Sequence, residues 1–176
     1  MLEIEIKARS RDHEKQLMLI EFFAGKGRAV DKRDHYFHIE GSDKSSLRIR
    51  RYNGVIEFTV KKRENSGGAE SNEEHEFQAP IDEYQKAVGF FHVLGYSDYF
   101  EKNKRGWEWT YQGIHIELLE VNDLGYFLEM EALLPFDADD RMKDDARSKL
   151  KELLHLFGLE DKDIERRSYR SMILGR

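Results

Sequence analysis

The chain is 176 residues long and carries 29 Lys and Arg against 35 Asp and Glu, a formal net charge of −6. That balance argues against a general nucleic-acid binder, which needs a basic face, and it leaves room for a local basic pocket. Cysteine is absent, which excludes a disulfide framework, a thiolate metal site and a cysteine nucleophile.

No apolar run approaches the roughly 18 residues that a membrane helix needs, and the opening MLEIEIKARS is unlike a secretory leader. The expected location is cytoplasmic, and the expected organisation is one domain over 1–176. Residues 2–9 alternate apolar and charged side chains, the period of a strand. A helix is expected over 13–25, with Leu17, Leu19, Ile20, Phe22 and Phe23 on a broad apolar side and Gly25 and Gly27 to end it. Strands are expected over 29–40, 46–52 and 55–62, and Asn53-Gly54 is a two-residue hairpin signal between the last two. The polar stretch 64–73 reads as a mobile loop. A strand over 74–79 follows, then a helix capped by Asp82, running to Leu94 and stopped at Gly95.

Three more strands fit 96–111, 114–121 and 126–134, with turns at Gln112-Gly113 and 122–125. An amphipathic helix over 139–157 carries Met142, Ala146, Leu150, Leu153, Leu154 and Phe157 on one side, and Gly158 ends it. Residues 163–176 add a short helix or strand. The fold class is α+β, about eight mostly antiparallel strands with helices outside.

Side chains i and i+2 of a strand share a face, so the sequence assigns charge to faces. Glu3, Glu5 and Lys7 oppose Leu2, Ile4 and Ile6; Arg48 and Arg50 oppose Leu47 and Ile49. Glu57, Thr59 and Lys61 oppose Ile56, Phe58 and Val60; Glu129 and Glu131 oppose Leu128, Met130 and Ala132. A polar outer face is the ordinary property of a half-buried antiparallel sheet. The repetition of Glu-x-Glu and Arg-x-Arg, with few neutral polar residues between them, points further. Like charges about 7 Å apart on one face repel unless something opposite lies between them. Two glutamates suit Mg²⁺ or Mn²⁺, and two arginines suit an oxyanion such as phosphate. A site needing both is a metal–polyphosphate site.

The ordered motifs carry a resemblance. Glu3-Ile4-Glu5-Ile6-Lys7 matches ExExK, Asp34-His35-Tyr36-Phe37 matches D-x-Y-F, and Leu47-Arg48-Ile49-Arg50 matches LRIR. Phe58-Thr59-Val60-Lys61 looks like a T-x-K strand, Glu74-His75-Glu76 like E-x-E, and the run from Leu124 to Glu131 like L-G-x-F-x-E-x-E. The set resembles the CYTH family, the group joining class IV adenylyl cyclases and thiamine triphosphatases, over about residues 2–134. The resemblance implies an eight-stranded antiparallel β-barrel, a triphosphate tunnel with an ionic lumen and helices packed outside. It implies Mg²⁺ or Mn²⁺ held by Glu3, Glu5, Glu129 and Glu131, with Glu74 or Glu76 assisting. It implies a small-molecule triphosphate clamped by Lys7, Arg48, Arg50, Lys61 and Arg105, and a homodimer without nucleic-acid or membrane partners.

Two departures bear on chemistry. Where the family has L-D-x-V, this chain reads Leu118-Leu119-Glu120-Val121. Glu117, on the same face as Leu119, is the compensating carboxylate, and Glu120 could serve through a bulge. Where the family has K-x-R, the chain reads Lys102-Asn103-Lys104-Arg105, so Arg105 aligns while Lys102 and Lys104 straddle the expected lysine. All three are candidate phosphate contacts, and Lys7 and Glu117 are the candidate catalytic residues. The activity implied is most like a class IV adenylyl cyclase, converting ATP to cyclic AMP and pyrophosphate. The alternatives are hydrolysis of inorganic or thiamine triphosphate, or an inert module binding polyphosphate or nucleotide.

Other features are given ordinary roles. His35 and His38, three apart on a strand, face opposite ways, and the remaining five histidines show no ligand spacing. Trp107 and Trp109 read as wall or core, and Gly67-Gly68 lacks the strand–loop–helix context of a phosphate loop. Arg166-Arg167 reads as a solvated pair. Tyr169 resembles the family's C-terminal Ser-Tyr and is expected to pack over the tunnel mouth.

Overall fold

The structure, a computed structural model, describes residues 2–39, 45–66 and 69–175, with side chains at 45–46 and 61–74 outside the description. Eight strands form one sheet: β1 (Leu2–Ser10), β2 (Arg28–His38), β3 (Ser45–Tyr52), β4 (Val55–Ser66), β5 (Ala69–Pro80), β6 (Ser97–Tyr111), β7 (Ile114–Val121) and β8 (Tyr126–Leu134). Their hydrogen-bonded order is β1-β8-β7-β6-β2-β3-β4-β5. Helices α1 (His13–Ala24), α2 (Tyr84–Val93), α3 (Asp140–Leu156) and α4 (Tyr169–Ile173) complete an α+β fold. The order ends at β1 and β5, and among the described residues no hydrogen bonding joins those two strands; the α+β class with eight strands and helices is the one expected.

The chain forms two compact units, Met1–Val30 with Lys104–Arg176, and Asp31–Asn103. In the first, α3 starts where the Asp139 carboxylate accepts from the Met142 N–H at 2.8 Å, satisfying one of the orphan donors of the first turn. Its buried face, Ala146, Leu150, Leu153 and Leu154, joins Ile116, Leu118, Leu128 and Met130 in one core. Each large side chain so buried contributes about 1.5–3 kcal/mol. Helix α1 is less embedded than its sequence suggests. Ile20 is fully buried, whereas Phe22 is 80% exposed. Strand β2 begins against Trp109, whose indole N–H donates to the Gly25 carbonyl at 3.0 Å. A Cβ at Gly27 would collide with that indole ring, so only glycine lets the chain pass.

In the second unit, Asn53 takes φ 49° in the turn between β3 and β4, as its hairpin signal predicts. Phe37, Leu47, Ile49, Ile56 and Phe58 form a core closed by Ala87, Val88 and Phe91 of α2, with Phe91 edge-on to Phe37 at 5.3 Å. Two expectations differ here. Asp82 lies in a short 3-10 turn, Ile81–Glu83, and the cap position of α2 is Glu83, which makes no side-chain cap bond. The segment expected as a loop over 64–73 is strand wherever it is described, pairing Glu64 with Ser71 and Asn65 with Glu70. Every residue near that hairpin tip is small or polar, so the period-2 apolar signal vanishes while backbone pairing continues.

Candidate active site

In the first unit the antiparallel register lays charged positions of four strands side by side. Glu5 stands opposite Glu131, and Glu131 opposite His115. One step along, Lys7 stands opposite Glu129, Glu129 opposite Glu117, and Glu117 opposite Glu108. Glu3 pairs with Leu133 at the end of the same ladder. The expected carboxylates Glu5, Glu117, Glu129 and Glu131 thus fall on two adjacent rows with Lys7, and Glu3 lies one step beyond the outer row.

Lys104 and Tyr169 organise the inner row. The Lys104 ammonium donates to Glu129 Oε2 at 2.6 Å, stands 3.8 Å from Glu117 and lies 5.1 Å over the Tyr169 ring. The Tyr169 hydroxyl donates to Glu129 Oε1. Burial pushes the Glu129 carboxyl up, but the Lys104 charge and these hydrogen bonds outweigh it, and its pKa falls below the ordinary value. Tyr169 is driven up, first by burial and then by the Glu129 charge. Lys7 donates to the Arg167 carbonyl at 2.5 Å and lies 4.4 Å from the centre of the Tyr169 ring. Burial lowers its pKa against the pull of Glu5 and Glu129.

The outer row is differently balanced. Burial, with Glu3, Glu5 and Glu117 nearby, pushes Glu131 up to about 7 despite the opposing effect of His115. Carboxylates there crowd one another, with Lys7 acting on Glu5 and His115 on Glu131.

Leu119 is fully buried, opposite Gly106 and Phe127. A Cβ on Gly106 would collide with the Leu118 carbonyl, so β6 and β7 approach closely and the row ends in an apolar wall. Register runs without interruption from Lys104↔Val121 to Tyr111↔Ile114. No bulge turns Glu120 inward; it stays exposed opposite Arg105. Arg105 is itself exposed on the face opposite Lys102 and Lys104, which are 6% and 5% exposed. Motif alignment and strand alternation thus differ here: Lys102 and Lys104 share the charged face with positions 106 and 108, and Arg105 lies on the other face.

In the second unit the charged face closes on Asp34, 1% exposed. Arg50 grips it with Nε at 2.6 Å and a terminal nitrogen at 3.0 Å; Lys102 stands at 3.1 Å and Arg48 at 3.9 Å. Burial alone would raise the Asp34 pKa, yet Lys102, Arg50 and Arg48 hold it well below the usual carboxylate range. Lys102 also donates to the Tyr36 hydroxyl at 3.1 Å. Arg48 donates to Thr59 at 2.7 Å and stands 3.5 Å from Glu76. Glu76, expected to assist a metal, accepts from the Thr59 hydroxyl at 2.9 Å beside Arg48. The side chains of Lys61 and Glu74, also expected in the site, lie outside the described residues; their backbones are register partners on β4 and β5.

Asp34 is the functional-site residue that sequence reasoning did not single out, although D-x-Y-F contained it. Its signal was a lone acid on the same face as Tyr36 in a strand facing Arg-x-Arg. His115 was set aside with the other histidines, yet it stands between Glu108 and Glu117, 3.8 Å and 3.5 Å away. The i, i+2 spacing of His115 and Glu117 on β7 was the available clue. His35, by contrast, has the ordinary role expected, contacting Tyr84 and Asp98 at 2.9 Å each.

An antiparallel sheet that carries glutamate rows in one unit and Arg–Lys pairs around a buried aspartate in the other defines a class of charge-faced β protein. The CYTH domain model matches residues 1–169, and the chain belongs to the CYTH family. A conserved hypothetical protein from Pyrococcus furiosus is similar at 26% identity and TM-score 0.75, over 95% of this chain and 97% of that one. A "putative adenylate cyclase" from Vibrio parahaemolyticus matches with TM-score 0.80 and 20% identity, over 99% of this chain and 98% of that one. A "putative adenylyl cyclase" from Hippeastrum, described as revealing a dominant triphosphatase activity, matches with TM-score 0.70 and 16% identity, over 99% and 95%. These last two likenesses are of fold. No curated protein matches. No described helix is long and apolar enough to cross a membrane.

Proposed function

We propose that this chain is a divalent-cation-dependent enzyme acting on a small-molecule triphosphate. The observation that carries the reading is the register of like charges, Glu5 directly opposite Glu131 and Glu117 opposite Glu129. Directly opposed carboxylates destabilise a sheet, and Lys104 stands against the inner row. An all-oxygen donor set of this kind fits Mg²⁺ or Mn²⁺, with Glu3, Glu5, Glu129 and Glu131 as its holders. When bound, such an ion polarises a phosphoryl oxygen and lowers the pKa of a coordinated hydroxyl or water.

The chain's own groups supply the rest. Arg48 and Arg50 present guanidinium forks suited to phosphate oxygens, and Lys102, Lys104 and Lys61 add point charges. Asp34 orients Arg50 and Lys102 and is a positioning residue. Lys7, its pKa lowered by burial, is suited to exchange a proton near the reacting phosphorus. Glu117 stands where a carboxylate can act two residues from Leu119.

Cyclisation of ATP is the first reading. The ribose 3′-oxygen bonds to the α-phosphorus, the bond from that phosphorus to the bridging oxygen breaks, and pyrophosphate leaves. Hydrolysis of inorganic or thiamine triphosphate is the second, favoured by Leu119. The buried leucine withholds the carboxylate that the family pattern offers, and water has fewer positional demands than a ribose hydroxyl.

The test is product analysis with ATP, inorganic triphosphate and thiamine triphosphate under Mg²⁺ or Mn²⁺. Cyclic AMP with pyrophosphate supports cyclisation and orthophosphate supports hydrolysis; tight binding without turnover leaves the inert module. Glu5→Gln is the clean variant, since Glu5 is exposed, and it is expected to abolish turnover with the fold intact. Wild-type rates in that variant would remove the carboxylate rows from the mechanism. Arg50→Ala also removes the bidentate partner of buried Asp34, so a loss of activity there would confound site with fold.

A further inference from the structure

We propose a second cation site, on the β6–β7 hairpin, in which Glu108, His115 and Glu117 bind a borderline transition cation such as Zn²⁺ in preference to Mg²⁺. Its donor set differs in kind from the all-carboxylate rows, because an imidazole nitrogen suits Zn²⁺ and similar late divalent cations better than hard Mg²⁺.

The argument rests on how each carboxylate divides its two oxygens. Glu108 gives Oε1 to the Arg28 guanidinium and turns Oε2 toward His115 Nε2, 3.8 Å away. Glu117 turns Oε2 toward Lys104, 3.8 Å away, and Oε1 toward the same His115 nitrogen, 3.5 Å away. A permanent cation therefore stands behind each carboxylate, while the front oxygens and the imidazole nitrogen converge within 4.8 Å of one another. Ligand atoms on one tetrahedral Zn²⁺ with bonds near 2.0–2.1 Å lie about 3.4 Å apart, so small side-chain rotations complete the triad. Outer partners that orient metal-bound carboxylates are a regular part of such centres, and Arg28 and Lys104 are placed to act as these.

Access is open on one side. A cavity of about 420 Å³ is lined by Lys26, Arg28, Glu108, Trp109, Thr110 and His115. It leaves room for a fourth ligand, water or a small anion, beside two cationic side chains. The hairpin register sets the triad side by side: Glu108 and Glu117 are register partners, and His115 lies two residues from Glu117 on the same strand face. The site does not depend on which triphosphate is turned over, or on whether any is.

The experiment is a Co²⁺ titration of the metal-free protein in excess Mg²⁺, followed by visible absorption and then by displacement with Zn²⁺. A single equivalent is expected to bind, with the intense d–d bands of a low-coordinate nitrogen–oxygen site that vanish as Zn²⁺ enters. His115→Ala should weaken binding by at least about 100-fold, and Arg28→Gln by about tenfold, the scale of an outer-partner loss. Glu5→Gln should abolish turnover yet leave the Co²⁺ spectrum unchanged, so failure of this site and failure of the proposed enzyme activity are separately visible. Heat-unfolding of His115→Ala without metal checks that its fold is intact. An unchanged affinity in His115→Ala would overturn the proposal. So would a wild-type protein that takes up no Co²⁺ in the presence of Mg²⁺, since His115 would then be only a charge partner for two glutamates.

Discussion

The two charged clusters of this protein treat their carboxylates in opposite ways. Asp34 is enclosed by Lys102, Arg50 and Arg48, and its pKa is held well below the ordinary range. Glu131 sits among Glu3, Glu5 and Glu117, and its pKa is pushed up to about 7. The first cluster is electrostatically complete within the protein, so its carboxylate serves to aim cations. The second is crowded with negative charge, so its stability is improved by a proton or by a divalent ion. The same carboxylate group is thus a scaffold in one unit and a candidate ligand in the other, and the difference lies in what stands across the strand.

The sharpest break would come from Asp34→Ala. Removing the anion leaves Arg48, Arg50 and Lys102 facing one another in a buried setting, and breaking a buried pair from one side costs about 3–5 kcal/mol. Chemical denaturation at neutral pH should show that loss. The sign follows from linkage. A depressed folded-state pKa contributes stability that is present above the ordinary carboxylate value and disappears only as pH falls through the depressed one. The gap between wild type and variant should therefore hold across neutral pH and close only in strong acid. A loss below about 1 kcal/mol would mean that the cluster is wetter and weaker than its geometry implies.

Next in size is Gly106→Ala, which tests whether the inner row truly ends at a wall. The added methyl would meet the Leu118 carbonyl, and overpacking a tight contact costs about 1–3 kcal/mol. A neutral result by thermal unfolding would show that β6 and β7 can part beside Leu119, and that the apolar end of the row is compliant.

Glu131→Gln should have the opposite sign to Asp34→Ala. A raised folded-state pKa contributes stability that is fully present below the ordinary value of 4.5 and is lost as pH rises through about 7. In metal-free protein the glutamine variant should match wild type near pH 4 and exceed it at pH 8 by about 1–2 kcal/mol, after a discount for solvent screening. Saturating Mg²⁺ should reverse the order, because wild type gains binding energy that the variant lacks. Equal melting curves across that range, with and without Mg²⁺, would erase the contrast between the clusters.

Much of this contrast was legible in the sequence. Period-2 alternation placed Glu3, Glu5, Arg48, Arg50, Glu129 and Glu131 on the charged faces, and the Asn53-Gly54 turn fixed one register. What alternation could not supply was the identity of the strand across each ladder. Asp34 became important only because β2 pairs with β3, setting it opposite Arg50. His115 became important only because β6 brings Glu108 opposite Glu117. The tip of the β4–β5 hairpin was missed for a related reason: cross-strand backbone bonds hold polar residues that carry no local strand signal.

Arg105 offers the smallest effect and a strict test of face assignment. Motif alignment places it in the site, whereas strand alternation leaves it exposed opposite Glu120. An exposed cross-strand pair of this kind is worth about 0.2–1 kcal/mol at most, and most surface substitutions stay within about 0.5 kcal/mol. Arg105→Ala should therefore leave stability within that range and leave triphosphate affinity unchanged. Lys104→Ala, which removes the ammonium 2.6 Å from Glu129 and 3.8 Å from Glu117, should weaken both. Were Arg105→Ala instead to cost tenfold in affinity while Lys104→Ala cost nothing, the guanidinium would have to turn through the sheet plane on binding. The charged face drawn from the register would then belong to a different state of the protein from the one that holds substrate.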